Sequence, residues 1–282
     1  GAVPMNNPDG IRMSASLAYL NPSRHRLNLT IKANVLAHRV VFEGDRAVGV
    51  EVASGGEKFT VEGSEIILCA GGIATPQLLL LSGVGPAAHL NELGIPVVKD
   101  APGVGQNLRD HPLITIELEP KEGVKLATIE PRIQSGLRYT AEGSDTRNDM
   151  QLFPSSFTGL RAGDPLQGRS PDRPQGMRIT CILKLADSVG ELTLTSADAS
   201  QPPHLEYRYF ETEWDRQRMR EAIHLSLKFL EHPSFGPLIE QRISPTDDNV
   251  ASDDALDAWL RQNVATTQHT SGTCKMGPES AP

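Results

Sequence analysis

The chain has 282 residues, 38% of them hydrophobic, and a formal net charge of −8 at pH 7. This length favours two domains with substantial cores, while the acidic balance argues against nucleic acid or an anionic membrane as a partner. No apolar run is long enough to span a bilayer, so we expect a soluble protein. The three cysteines, Cys69, Cys181 and Cys274, form no CxxC pair, which favours a reducing, cytoplasmic compartment without disulfides or a zinc cluster.

The N-terminal part begins with a loop-like stretch and continues with short strands. The opening GAVPMNNPDG contains two prolines and ends in an Asn-Asn-Pro-Asp-Gly cluster. A helical patch is expected over residues 14–19, and residues 43–46 favour a hairpin turn. The predicted strands of this part are residues 28–31, 35–42, 47–52 and 57–61.

The stretch EIILCAGGIATPQLLLLSGVG predicts a buried strand, a glycine turn and a helix. Residues 66–68 are an apolar run typical of a strand buried on both faces, and Cys69 is expected to pack there as a small hydrophobic residue. Gly71 and Gly72 supply the turn, and Thr75 is expected to cap the helix. This arrangement points free backbone N–H groups at the space over the strand end, which suits a phosphate or a dinucleotide. A turn that only reverses the chain is the alternative interpretation.

Beyond this helix the pattern favours a sheet with segregated helices. Residues 102–112 form a loop rich in Gly, Asn, Asp and His, a composition that often carries function but also satisfies turns. Residues 155–174, with their glycines and prolines, predict a long loop or lid. The further predicted strands are residues 95–98, 114–118, 150–153, 179–183, 190–195 and 205–207. The predicted helices are residues 86–94, 213–230 and 253–264, the last capped by Ser252.

Successive blocks of the sequence match the order and spacing of one known family. Among them are CAGGIATPQLL with LSGVG, then PGVGQNLRDH, and the closing HTSGTCKMG. Together they resemble the glucose-methanol-choline (GMC) family of FAD-dependent oxidoreductases. The resemblance implies an α/β FAD-binding, Rossmann-like domain portion beside an α+β substrate domain with an antiparallel sheet. Residues 1–111 are expected to form the FAD-binding portion, residues 112–262 the substrate-binding domain, and residues 263–282 a return to the FAD domain that carries the catalytic loop.

The resemblance also implies FAD as the cofactor and the oxidation of a small-molecule alcohol to a carbonyl by hydride transfer to the flavin. His269 begins the His-x-x-Gly-Thr-x-x-Met-Gly block and matches the catalytic base of the family. An imidazole suits this role because its ordinary pKa of about 6.5 lets it take a proton near neutral pH. Without the family, a histidine in a polar loop is more often a hydrogen-bonded surface residue. A metal pair of His269 with Cys274 lacks further ligands nearby, so no metal site is predicted.

Two groups of binding residues follow from the positions that the family motifs occupy. The predicted cofactor-binding residues are Val35, Ala70, Gly71 and Gly72. Gln151 and Phe153 share one face of a predicted strand whose counterpart in the family lies over the flavin. We therefore expect these two side chains to line the substrate cavity.

Two family features are absent from these residues. The Gly-x-Gly-x-x-Gly turn that binds the FAD pyrophosphate does not occur, and neither does the tail beyond the Met-Gly that supplies a second catalytic partner. We therefore expect an internal piece of a larger enzyme, with the remainder of that enzyme as its partner. A lyase on the same fold, such as a hydroxynitrile lyase, and a non-catalytic fragment are the alternatives.

Overall fold

The computed structural model describes residues 1–124, 133–156 and 176–277, which form two compact units. Unit 1 comprises Gly1–Arg26, His111–Ser188 and Tyr209–Thr267, and unit 2 comprises Leu27–Asp110, Val189–Arg208 and Gln268–Pro282. Each unit is thus assembled from three separate stretches of the chain, whereas the predicted domains are nearly continuous. The cofactor and substrate roles of the two parts stay predictions.

The elements of the described residues are short strands and a few helices. The strands are β1 Leu36–Glu43, β2 Arg46–Ser54, β3 Glu57–Glu62, β4 Val84–Gly85, β5 Lys99–Asp100, β6 Pro112–Pro120, β7 Leu137–Tyr139, β8 Met150–Ser156, β9 Met177–Leu183, β10 Glu191–Thr193, β11 His204–Glu206, β12 Ile239–Ser244 and β13 Ala265–Thr266. The helices are α1 Gly71–Leu81, α2 Ala87–Glu92, α3 Glu213–Leu230 and α4 Asp253–Asn263. Helical turns occur at Pro8–Gly10, Ser16–Leu20, Asn21–Ser23 and Asp248–Val250.

Unit 1 is built on an antiparallel sheet covered by two helices. The strand order is β12-β6-β9-β8-β7, and β13 also pairs with β6. Alternate residues of β6, namely Ile114, Ile116 and Leu118, are at most 1% exposed and face a core that also contains Met219 of α3 and Leu260 of α4. This period of two is what a strand with one face on a core requires. The antiparallel sheet that the family resemblance implies is confirmed.

Both long helices of unit 1 begin at the side-chain caps that their sequences favour. The Thr212 hydroxyl accepts a hydrogen bond from the Asp215 N–H at 3.2 Å, and the Ser252 hydroxyl accepts one from the Ala255 N–H at 3.2 Å. Each cap satisfies a backbone donor that has no partner within the first helical turn. The predictions for residues 213–230 and 253–264 are confirmed to within one residue.

Unit 2 contains a three-stranded antiparallel meander and a separate small core. β1, β2 and β3 pair in sequence order, and the β1–β2 hairpin turns at residues 44–45, as predicted. Leu80 and Leu81 of α1 pack with Leu90 of α2. The same core includes Ile95, Leu108, Leu192 and Leu194.

Several local predictions for the N-terminal half are wrong. Residues 66–68 form no strand, Ile67 is 73% exposed and Cys69 is also exposed, because the described residues supply no strand to pair with this run. Residues 28–31 likewise pair with no strand. Helix α1 begins at Gly71, so Thr75 lies inside it and is no N-cap. The Thr75 hydroxyl instead accepts a hydrogen bond from the Ala70 N–H at 3.1 Å.

The predicted strand at residues 95–98 is shifted, since the strand found there is β5. The predicted loop over residues 155–174 lies almost wholly outside the described residues, although its first two residues extend β8. Within the described parts of the chain, no helix is long and apolar enough to cross a membrane.

Candidate active site

The segment that carries His269 is joined to the end of the 102–110 loop by an isolated antiparallel bridge, within unit 2. The Arg109 N–H donates to the Ser271 oxygen and the Ser271 N–H donates to the Arg109 oxygen, both at 2.8 Å. This reciprocal pair is the hydrogen-bonded arrangement of an antiparallel ladder. Further along, the Gly105 N–H donates to the Thr273 oxygen at 2.9 Å. These bonds hold the His269 segment against the loop at two separate points.

Asp110 connects the loop to His269 itself. Its Oδ1 accepts a hydrogen bond from the His269 backbone N–H at 3.0 Å, and Asp110 is 8% exposed. The side chain of His269 is exposed. The residue before it, Gln268, has φ of +63°, a left-handed conformation that needs support from its surroundings.

The glycine of the His-x-x-Gly block is required by close packing. Gly272 has φ of +85°, and a Cβ at this position would lie 2.4 Å from the Asn107 oxygen. The Asn107 side chain donates from Nδ2 to the Gly272 oxygen at 3.1 Å. A side chain at residue 272 would therefore push the His269 segment away from the loop.

The start of helix α1 lies directly against the same segment. The Thr273 hydroxyl donates to the Gly72 oxygen at 2.6 Å, and Thr273 is 1% exposed. A Cβ on Gly72 would lie 2.5 Å from the Thr270 oxygen, well inside van der Waals contact. The glycine turn and the His269 segment, which are far apart in sequence, thus form one packed cluster.

The other predicted cofactor-binding residues, Val35, Ala70 and Gly71, lie at accessible positions of unit 2. Ala70 and Gly71 are exposed, and a Cβ on Gly71 would meet no atom within 4 Å. The first N–H groups of α1 have no acceptor within the helix, so this turn offers donors to an anionic group. Val35 lies in an open depression of about 380 Å³. That depression is lined by Asn34, Val35, Leu36, Ala53, Ser54, Gly55 and Gly56.

Gln151 and Phe153 lie on β8 in unit 1 and share a face of its sheet, as predicted. Gln151 is opposite Arg138 of β7 and Ile182 of β9, and Phe153 is opposite Thr180. The Gln151 Oε1 is buried without a hydrogen-bond partner in the part of the chain that the structure describes. An unpaired buried oxygen is costly, so we expect a water or a bound molecule to donate to it. That Gln151 and Phe153 line the substrate cavity stays a prediction.

Comparison with known proteins decides the family. Two family models, both described as GMC oxidoreductase, match the chain, one over residues 1–113 and the other over residues 186–282. The chain belongs to the GMC oxidoreductase family. The resemblance drawn from the glycine-turn, loop and His269 blocks is thereby confirmed.

Curated relatives of this GMC chain include two choline dehydrogenases. The oxygen-dependent choline dehydrogenase of Photobacterium profundum is 35% identical over 300 residues, which cover 100% of this chain and 53% of the relative. The mitochondrial choline dehydrogenase of Homo sapiens is also 35% identical over 300 residues, covering 100% of this chain and 50% of the relative. The chain spans about half the length of the curated relatives it matches.

Solved structures confirm the predicted fold class. Pyridoxine 4-oxidase from Mesorbium loti superposes with a TM-score of 0.86 at 24% identity, covering 99% of this GMC chain and 55% of that chain. A formate oxidase superposes with a TM-score of 0.81 at 23% identity, covering 94% of this chain and 54% of that chain. At these identities the likeness is one of fold.

Sequence reasoning missed several residues that shape the site. Asp110 and Asn107 lie in the predicted loop of residues 102–112, yet no contact of this loop with the His269 segment was predicted. The Tyr207 hydroxyl lies 2.9 Å from the Thr270 hydroxyl and hydrogen-bonds to it. The glycine-rich stretch followed by Asn-Leu-x-Asp-His could have indicated Asn107 and Asp110. Nothing in the sequence indicated Tyr207.

Proposed function

We propose that the full-length protein is an FAD-dependent oxidoreductase that converts a small-molecule alcohol to a carbonyl, with His269 as the base that takes the hydroxyl proton. The observation that carries the proposal is the packed cluster of the glycine turn and the His269 segment. Gly72 contacts Thr270 and bonds to Thr273, so a ligand bound at the glycine turn would lie near the residue that carries the imidazole.

The residues of unit 2 fit the assigned cofactor. The exposed Ala70–Gly71 turn offers backbone donors at a helix N-terminus, which suits the negative charge of a pyrophosphate. The open depression at Val35 leaves room for a flat ring system. FAD, when bound, supplies the acceptor for the hydride that leaves the alcohol carbon.

The chain's own residues provide the proton chemistry and the pocket wall. The His269 imidazole would accept the hydroxyl proton as the carbon–hydrogen bond breaks, which requires its neutral form. Gln151 and Phe153 would line the alcohol site, and the unpaired Gln151 Oε1 supports a hydroxyl or amine donor on the substrate. The relatives that are named choline dehydrogenases support a small alcohol as the substrate class.

We also propose that residues outside this chain complete the cofactor site in the full-length protein. Two observations support this proposal: the chain covers only 53% of a curated relative, and the apolar Ile67 is exposed. A cytoplasmic location is proposed from the free thiols of Cys69, Cys181 and Cys274.

The test is His269→Ala in the full-length protein. Flavin reduction by the alcohol, followed anaerobically by stopped flow, should slow by on the order of 10²-fold or more, the usual contribution of a positioned base. The loss should shrink as the pH rises, because a more basic solution can take up the alcohol proton instead. His204→Ala, which removes an exposed imidazole on β11, is the matched control and should leave the rate unchanged.

Reduction at the wild-type rate by His269→Ala would remove His269 from the mechanism. Flavin that no alcohol bleaches in the wild-type protein would instead favour the lyase alternative.

A further inference from the structure

We propose that Asp110 is a positioning residue for His269 and acts through the hydrogen bond that its carboxylate accepts from the His269 backbone N–H. The inference rests on the proposed function of His269 as the base. It concerns the main chain at residue 269, and it involves no contact of Asp110 with substrate or cofactor.

The His269 segment needs support at this point. The paired hydrogen bonds of the ladder join Arg109 to Ser271, two residues beyond His269. Between the ladder and the left-handed Gln268, the backbone of His269 is held by the 3.0 Å bond to Asp110 Oδ1. An exposed imidazole on a backbone that rotated freely would be oriented poorly for proton transfer.

The burial of Asp110 and the anchoring of its backbone suit it to this role. Asp110 is 8% exposed, so its carboxylate is shielded from water and needs donors from the protein. Its neighbour Arg109 is fixed to Ser271 through both backbone groups, so the Cα of Asp110 is itself anchored. The carboxylate is therefore a rigid acceptor rather than a mobile one.

The experiment compares Asp110→Ala, Asp110→Asn and Asp198→Ala in the full-length protein. Asp198 is a matched control because its Oδ1 also accepts a backbone N–H, that of Ser200, at 2.9 Å, in a turn of the same unit. The rate constant of anaerobic flavin reduction and the apparent dissociation constant of the alcohol are measured for each variant across pH.

Asp110→Ala should slow flavin reduction by roughly 10- to 100-fold, the scale of a misplacement of about 1 Å. The apparent dissociation constant of the alcohol should change little, since Asp110 is assigned no contact with it. Asp110→Asn keeps an acceptor oxygen and should recover most of the rate. Asp198→Ala should match the wild type. A loss in Asp110→Asn as large as in Asp110→Ala would overturn the proposal, because the backbone bond alone could not explain it.

The double variant Asp110→Ala/His269→Ala separates positioning from general destabilisation. If Asp110 acts through His269, removing Asp110 should cost nothing further once the imidazole is gone. An additional loss of 10-fold or more in the double variant would show that Asp110 acts by another route. If His269→Ala alone reduces its flavin at the wild-type rate, the proposed function fails. If that variant is slow while Asp110→Ala is not, only the present inference fails.

Hydrogen exchange tests the bond without any substitution, and so covers the case in which Asp110→Ala does not fold. The His269 amide of the wild-type protein should exchange at least 10-fold more slowly than an unprotected amide, despite the exposed side chain. Exchange at the unprotected rate would overturn the proposal.

Discussion

At the scale of single residues, Gly72 has a clearer role than its place in a glycine turn suggests. The sequence favours a glycine there so that the backbone can approach a ligand, which remains a prediction. The structure adds that the Gly72 Cα faces the Thr270 oxygen, with no room for a Cβ between them. The φ of Gly72 is outside the left-handed region, so any residue could adopt this backbone conformation. Glycine is needed here because a side chain has no space.

Gly72→Ala should therefore act on the His269 segment. A Cβ placed 2.5 Å from the Thr270 oxygen must push that segment away, which displaces the neighbouring His269. We expect the flavin-bound fraction of the variant to be reduced by alcohol roughly 10-fold or more slowly than the wild type. The measurement is stopped-flow reduction, normalised to the flavin content of each preparation.

Gly236→Ala is the control for this substitution, because a Cβ there would lie 3.6 Å from the Pro233 oxygen, an ordinary contact. A Gly72→Ala protein with less flavin but a normal reduction rate would show that the glycine serves the cofactor alone.

The residues of the candidate site were predictable only in part. His269, Gly71 and Gly72 lie in sequence blocks with recognisable spacing, so they could be selected without coordinates. Their contacts could not, because the bond between Thr273 and Gly72 joins residues that are far apart in the chain. Long-range pairs of this kind leave no local pattern in a single sequence.

At the scale of elements, helix α3 is tied to the sheet of unit 1 by a buried ionic cluster. Arg218, whose side chain is 3% exposed, bonds to Asp149 at 3.1 Å and to Asp215 at 2.7 Å, and both carboxylates are fully buried. Its guanidinium also lies 4.9 Å from the centre of the Trp214 ring. Burial opposes ionisation of Asp149, but hydrogen bonds from Ala141, Ser144 and Arg218 hold the pKa of its carboxyl below the usual value.

Arg218→Met should destabilise the protein by about 3–5 kcal/mol, because it leaves two buried carboxylates without their cation. The free energy of unfolding in urea, measured at neutral pH, checks this value. Arg39→Ala is the comparison, since the Arg39–Glu51 pair has side chains that are 56% and 27% exposed. That variant should cost about 1 kcal/mol or less. Equal losses in the two variants would contradict the role assigned to the buried cluster.

Elements with a complete local signal were predicted well, and elements that depend on distant partners were not. Helix α3 carries its own cap and apolar face, and its predicted bounds match the structure. Residues 66–68 have the composition of a buried strand, but composition cannot supply a neighbouring strand to pair with. Thr75 and its following proline are typical of a helix start, although the helix already begins at Gly71.

At the scale of the whole molecule, the sequence alone could not show how the chain alternates between the two units. Val189–Arg208 belongs to unit 2 although the chain on both sides of it belongs to unit 1. Strands β10 and β11 of this segment form an ordinary antiparallel pair. Nothing in their local sequence distinguishes them from the strands of the larger sheet. Assignment to a unit depends on packing, here of Leu192 and Leu194 against Leu80 of α1.

Ile67, the exposed residue of the apolar run 66–68, gives a test of the proposal that further residues complete unit 2 in the full-length protein. Ile67 is 73% exposed here, whereas a covered apolar strand would bury it. Ile67→Asp should then place an unpaired charge in an apolar environment, at a cost of several kcal/mol. We expect a lower free energy of unfolding in urea and less bound flavin per chain. Leu238→Asp, at an apolar position that is 38% exposed in unit 1, should lose only part of the burial of one leucine, about 1–2 kcal/mol. If Ile67→Asp is tolerated as well as Leu238→Asp, residue 67 faces solvent in the full-length protein and no additional strand covers it.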